Sequence, residues 1–484
     1  MNVSNNMSLT SPCFNVFQGK DSYFPIFFLL FLLFVMLGMA TYGGPLILLL
    51  SFLFIFALSL VTVFYSTSNI TKLDLSGYLL FPLFISAFQN IYLGLLANDM
   101  DAFALQMFLM LHWMFAVITL TGLMVTGVSK SGSKLPIILF AMLVLMIGYS
   151  VVLLAFMGGS PIGLFGSFRN LSTPWIFFLL GFLSIRVVKF DTLLKMISFL
   201  GYFIIFFGFL EYFLDKQVWL YLNIEMLWAK KGLRNIAEWG LPLNFVSSER
   251  IFGEQVRRMA SSYADPVNFG TVLFLIASIG WYTKRYLLLI LSIVCMVLAI
   301  SKGAFLGLLV LFVVWSYFYT NRVIFAIAGM GAAAVGVAFL IYSSLHSTQS
   351  VAAHSQGLWS ALMTLPSYPL GRGLGNVGIL SGEGGDIKES GLGIIIGQLG
   401  VFGILLYGFF FSVLIKMSLS IPTVRDKVFA TTLAVSILIN IAFNEVALSP
   451  NSSAGYFMIL GLILAATEYE KISNKINKTE VVHG

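Results

Sequence analysis

The sequence predicts an all-α polytopic membrane protein with about 12–14 transmembrane helices and two long polar interruptions. Three observations carry that expectation. Of the 484 residues, 59% are hydrophobic and only 10% charged, with mean hydropathy +0.96, whereas soluble globular chains carry about 25% charge. Apolar runs of spanning length recur along the whole chain. Cations collect in alternate short connections, as the positive-inside rule requires of a membrane protein.

In order, the expected spans are Tyr23–Thr41, Pro45–Tyr65, Leu75–Leu96, Phe103–Val125, Leu135–Met157, Pro174–Val188 and Leu193–Leu214. After a polar gap come Val267–Tyr282, Tyr286–Ile300, Ala304–Tyr319 and Val323–Tyr342. After a second gap come Gly391–Ile415, Val428–Phe443 and Ala454–Thr467. Several of these are near ~15 residues, short for a bilayer core that takes roughly 17–25. The first run follows a polar head and lacks a small-residue cleavage site, so it reads as a retained helix.

With a cytoplasmic N-terminus and alternating spans, the inner short loops hold Lys20, Lys72, Lys130, Lys134, Arg186, Lys189, Lys195, Lys284, Arg285, Arg322, Lys416, Arg425 and Lys427, joined by Lys471, Lys475 and Lys478 on the C-terminal tail. The outer short loops hold only Arg169 and Lys302. Both long interruptions, 215–266 and 343–390, then fall outside. The chain divides into helices over 1–214, a first outer loop over 215–266 and central helices over 267–342. A second outer loop over 343–390, C-terminal helices over 391–467 and a polar, frayed cytoplasmic tail over 468–484 complete it.

The net charge of +7 is scattered through short loops, so no nucleic-acid partner is expected. Cys13 and Cys295 lie in unlike surroundings and are not expected to pair. Four histidines without a Cys/His cluster argue against a structural metal.

Within the first outer loop, Trp219, Tyr221, Leu222, Ile224, Met226, Leu227 and Trp228 precede Lys230, Lys231 and Arg234. This reads as an interfacial segment with aromatic rings at headgroup depth. Arg257 and Arg258 follow, and guanidinium groups grip phosphate oxygens by paired hydrogen bonds. Asp265-Pro266 reads as a helix start, which gives Asp265 a capping role beside any substrate-binding one. Lys302 sits in a short outer turn against the charge bias and would suit a pyrophosphate, or simply snorkel.

In the second outer loop, Gly373-Leu-Gly-Asn-Val-Gly378 matches the dinucleotide fingerprint only formally, because no strand precedes it. Its glycines suit a tight turn whose amides approach an anion, with Arg372 beside it. Glu383, Asp386 and Glu389 are the carboxylates of this loop. Glu389, at the mouth of a helix, is the best base for a sugar hydroxyl; His346 and His354 are weaker alternatives.

Taken together, these stretches resemble the bacterial O-antigen polymerase and O-antigen ligase superfamily. The matching pieces are the arginine segment leading into Tyr263-Ala-Asp-Pro-Val-Asn268, the Ser301-Lys302-Gly303-Ala304 turn, and Trp359 upstream of Pro369-Leu-Gly-Arg-Gly-Leu-Gly375. Glu389 followed by Gln398-Leu-Gly-Val-Phe-Gly403 completes them, so the resemblance covers roughly Gly253 to Phe411. It implies a GT-C-like glycosyltransferase of the inner membrane, working without metal or cofactor at the periplasmic face. The implied partners are undecaprenyl-pyrophosphate-linked oligosaccharides, the lipid bilayer and a polysaccharide chain-length regulator. The family's pyrophosphate-binding role maps onto Arg257, Arg258, Lys302 and Arg372, with Asp265 and Trp359 among the substrate contacts. Glu389 and Arg258 would be catalytic. The family usually has arginine where Lys302 stands, and a lysine loses the bidentate fork. The ligases carry a His-Asn pair where this chain has Glu389-Ser390, which favours polymerase over ligase. A lipid-linked oligosaccharide flippase is the alternative outside enzymology, though two related halves are not evident.

Overall fold

The computed structural model describes residues 76–98, 100, 102–131, 133–157, 161–232, 240–251, 254–346, 348–378 and 387–483. The expected spans Tyr23–Thr41 and Pro45–Tyr65 lie outside the described residues, as do Cys13, Glu383 and Asp386. Every other expected span is helical.

Five long helices come first: α1 (Ser76–Leu95), α2 (Ala102–Ser131), α3 (Leu135–Met157), α4 (Pro161–Ser184) and α5 (Phe190–Phe213). The short helices α6 (Gln217–Tyr221) and α7 (Ile224–Lys230) follow, then strands β1 (Val246–Ile251) and β2 (Glu254–Arg257). The strands form an antiparallel pair with Val246 opposite Arg257 and Ile251 opposite Glu254. Then come α8 (Pro266–Tyr282), α9 (Tyr286–Leu298), α10 (Lys302–Tyr319), α11 (Arg322–His346) and α12 (Thr348–Thr364). The last three are α13 (Gly391–Leu419), α14 (Val424–Phe443) and α15 (Pro450–His483).

Six of these, α1, α3, α5, α10, α13 and α14, are long and apolar enough to cross a membrane. The architecture suits a polytopic all-α membrane protein. Lipid-facing stripes fit that solvent. On α5, Phe199, Phe206 and Phe213 are 70%, 65% and 77% exposed and recur every seven residues, while Leu193, Ile197, Gly201 and Ile204 are buried on the other face. Water would penalise such a stripe; hydrocarbon does not.

In a membrane, lipid competes equally for apolar surface, so tight packing holds helices together. The α4–α15 pair shows how. Gly181 lies against the Met458 carbonyl and Gly461 against the Phe178 carbonyl, so a Cβ at either position would collide with backbone. Trp175, Phe178, Phe410 and Phe457 fill the layer beside this crossing.

Contacts sort the helix ends into two groups. At one end Tyr282 donates to Asp426 (2.8 Å), the Ser76 hydroxyl to the Lys189 carbonyl (3.2 Å), and Lys471 to Ser420 (3.2 Å). Arg186 stacks on Tyr469 and Arg425 on Tyr282 at the same end. At the other end meet the starts of α8, α10, α13 and α15 and the close of α14.

Four expectations are corrected. The segment around Trp219 and Trp228 is no lipid-facing belt: both indoles are buried, and Trp219 Nε1 donates to Glu211 at 2.8 Å. Only Leu220, Tyr221 and Met226 among its larger apolar groups are exposed. The second interruption is largely helical, because α11 runs on to His346 and α12 occupies Thr348–Thr364. The helix expected from Pro174 begins at Pro161, with Pro174 inside it. The polar tail is the continuation of α15, which reaches His483.

Candidate functional site

Four of the helices that begin at this end of the bundle, α8, α10, α13 and α15, interlock at their first residues. The α8 start is capped by Asp265, in extended conformation, whose Oδ1 accepts the Val267 amide at 3.0 Å with Pro266 in the first turn. Asn244 Nδ2 donates to the same oxygen at 3.0 Å, and Asn268 donates to Oδ2. At the α13 start, Ser390 Oγ accepts the Gly393 amide (3.0 Å) and donates to the Ala442 carbonyl of α14 (2.6 Å). Next to α10, Gly303 packs on the Asn440 side chain, and Asn440 Nδ2 donates to Thr271 Oγ1 of α8 at 3.0 Å. At the α15 start, Ser449 and Ser452 both donate to Asn268 Oδ1. The close of α14 and the turn after it thus bind four helix N-termini together. Each N-terminus presents the positive end of a helix dipole.

The backbone is strained where these helices begin. Ala264, Ile300 and Glu389 adopt left-handed conformations, with φ of +49°, +49° and +63°. They immediately precede Asp265, Ser301 and Ser390. Such conformations are costly for non-glycine residues, most of all for β-branched isoleucine, and concentrate at functional sites.

Arg258, Asp265, Lys302 and Glu389 belong to this neighbourhood. Arg258 donates from Nε to the Ala299 carbonyl (2.9 Å) and from Nη1 to the Asn244 carbonyl (3.2 Å). It therefore bridges the α9–α10 turn and the residue that holds Asp265. Lys302 is the first residue of α10 and half-buried; Glu389 is half-buried beside the cap of α13.

Arg257 is taken up elsewhere. Its Nη2 pairs with Glu211 Oε2 at 2.6 Å and its Nη1 with Asp215 at 2.9 Å, while the carbonyls of Glu211 and Tyr212 take further bonds. A guanidinium so engaged braces the fold rather than gripping a substrate. Trp359 is 60% exposed on α12, half a turn past Gly357, which packs on the Lys388 carbonyl. It stands at the rim.

Arg372 stays with the glycine loop, 4.8 Å above the Tyr368 ring. The loop itself is not an open anion cradle. The amides of Gly371, Arg372, Gly373 and Gly378 already donate to the carbonyls of Tyr368, Gly397, Gln398 and Ile387. Two of those acceptors lie at a break in α13, where Gly400 has φ +62° and ψ −145°. The break exposes carbonyls, and the loop supplies the missing amides; Val401 N returns a bond to the Pro369 carbonyl at 2.9 Å. Gln398 secures the joint, donating to Ser167 Oγ and the Val377 carbonyl, each at 3.0 Å.

Several organising residues escaped sequence reasoning. Glu211 is fully buried and accepts from Trp219, Arg257 and the amides of Ala260 and Ser261. Asn440 and Asn268 lie in mostly apolar stretches of α14 and α8. Their signal was present, since polar groups inside a membrane helix are expensive and usually placed for a reason. Lys231 donates to Asn90 Oδ1 at 2.6 Å. Burial pulls its amine down to about 7; Asp265 opposes that shift and the charge of Arg169 adds to it.

No family model matches this chain, and no curated protein or solved structure matches it.

Proposed function

We propose that this protein is a membrane glycosyltransferase of the GT-C type, a polysaccharide polymerase acting on undecaprenyl-pyrophosphate-linked repeat units. The observation that carries the reading is the meeting of four helix N-termini with Arg258 and Lys302 at one end of the bundle. That end suits a pyrophosphate: amide dipoles and fixed cations stabilise the charge that develops on a leaving phosphate. The resemblance over Gly253 to Phe411 adds to it.

In the reaction, a sugar hydroxyl of the incoming lipid-linked unit attacks the anomeric carbon of the growing glycan. The new glycosidic C–O bond forms as the bond to pyrophosphate breaks, and the leaving oxygen keeps the electron pair. Glu389 takes the hydroxyl proton. Arg258 and Lys302 hold the departing pyrophosphate, Asp265 keeps the α8 start in place, and Trp359 at the rim offers a face for a sugar ring. The cation-rich end lies in the cytoplasm of an inner-membrane protein and the helix-start end in the periplasm, where a chain-length regulator would meet the product.

The test is a reconstituted reaction. Purified protein in lipid receives its native undecaprenyl-pyrophosphate repeat unit, with chelator and without nucleotide. A ladder of multimers is expected, lost in R258A and E389A. No ladder, or wild-type ladders from both variants, refutes the reading. Transfer only when lipid A-core is added would make it a ligase. Glycan moved between leaflets without elongation would make it a flippase. Cysteines introduced at Glu254 and Ser367 should label only from the periplasm.

A further inference from the structure

A second group of cations lies between α1, α2, α4 and the residues after α7. Arg169 on α4 donates from Nη1 to the Leu109 carbonyl of α2 at 3.1 Å, and from Nε and Nη2 to Asn170 Oδ1 at 3.4 Å. Lys231 donates to Asn90 of α1 and lies 4.6 Å from the Trp228 ring centroid. Neighbouring Lys230 donates to the carbonyls of Ala97 and Met100. Every one of these acceptors is uncharged. The carboxylate whose charge reaches Lys231 is Asp265, and its oxygens already serve Val267, Asn244 and Asn268.

His112 of α2 completes the group. It is fully buried one turn beyond Leu109, and the charge of Arg169 reaches it. Its Nδ1 lies 3.5 Å from Gln89 Nε2, while Nε2 has no hydrogen-bond partner among the described residues. Cations that repel one another in a poorly hydrated site are held at a cost, and so is an imidazole nitrogen without a partner. One anion with several oxygens would relieve both. Arg169, Lys230 and Lys231 each keep partial exposure, whereas His112 is buried.

We propose that Arg169, Lys231 and His112 form a phosphate-binding site, separate from Arg258 and Lys302. Phosphate suits it better than a carboxylate, because its oxygens can meet a guanidinium fork, an ammonium and an imidazole together. A membrane phospholipid headgroup and a soluble phosphate offer the same chemistry. Neither requires that the protein transfer glycans.

The experiment uses purified full-length protein in detergent micelles. It is titrated with inorganic pyrophosphate and, separately, with phosphatidylglycerol, and lysine amines are acylated and read peptide by peptide. Bound ligand should slow acylation of Lys231 and leave exposed Lys195, near the opposite end of the bundle, unaffected. R169Q and K231M should each weaken binding about tenfold, while R169K retains more than R169Q and K195Q binds as wild type. Protection by phosphatidylglycerol alone assigns a lipid headgroup; protection by pyrophosphate assigns a soluble phosphate. The proposal is overturned if neither probe protects Lys231, or if R169Q and K231M bind as tightly as wild type. Where a variant is not recovered folded, protection of Lys231 in the wild type decides. Polymer formation is not the readout, so this test and that of the glycan reading fail independently.

Discussion

Glu211→Ala should be among the most damaging single changes in the described residues. Its carboxylate is fully buried and takes four donors: Trp219 at 2.8 Å, Arg257 at 2.6 Å, and the amides of Ala260 and Ser261 at 2.8 and 3.1 Å. Removing it leaves the Arg257 guanidinium, 11% exposed, with Asp215 as its one acidic partner among the described residues. Asp215 is 67% exposed, and an exposed pair contributes about 0–1 kcal/mol. Breaking a buried pair costs about 3–5 kcal/mol, because the surviving charge stays buried. The two amides freed at Ala260 and Ser261 lie just upstream of Asp265, so Arg258 should lose its footing and activity should fall with stability. Unfolding in detergent, followed by tryptophan fluorescence, measures the change. E211A/R257A should cost less than the sum of the single variants by about 2–3 kcal/mol, since the double change removes both charges. An E211A loss under about 1 kcal/mol, or strict additivity in the double variant, would refute this reasoning.

Other expectations follow from the same geometry. Gly400→Ala puts a Cβ against the Pro369 carbonyl in a backbone conformation reserved for glycine; it should cost about 2–4 kcal/mol and hasten proteolysis at Pro369–Gly378. Asp265→Ala should lose about 1–2 kcal/mol of cap stability, whereas Asp265→Asn keeps an acceptor for the Val267 amide and should lose less; lost activity with intact stability in D265N would instead give Asp265 a substrate role. Lys231 has its amine pulled from the usual 10.5 to about 7. Between those values the unfolded chain holds a proton that the fold has released, so stability should rise with pH across that window. The groups acting on Lys231 are Asp265, Arg169, Asn90 and the Trp228 ring. Unfolding midpoints from about pH 6 to 9 should show the slope in wild type and flatten in K231M.

Helix positions were legible wherever the signal was local. Leu135–Met157 was predicted to the residue, because a 23-residue run with no charged residue and a single serine, between polar flanks, admits one reading in lipid. The start of α8 was legible for the same reason: Asp265 followed by Pro266 is a cap written in two adjacent residues. Where the signal was distributed, the reading failed. Trp219 and Trp228 look interfacial by composition, and only the packing of α6 and α7 against the rest of the bundle buries them. The glycine run looked like an anion cradle, yet two of its amides, Arg372 and Gly373, were committed to carbonyls at the break near Gly400, about thirty residues downstream.

Composition and charge pattern alone pointed to a lipid solvent, to most of the helices and to the residues worth testing. Bilayer thickness and the cost of buried charge act on each segment separately, so those properties needed no fold. Tertiary structure alone decided which charges act together. Arg257 and Arg258 are neighbours in sequence, but one is locked to Glu211 and the other reaches the turn before Lys302. Asn440, Asn268, Ser449 and Ser390 gather four distant helix starts into one cluster. Pairing across hundreds of residues depends on which helix faces meet, and no local pattern records that.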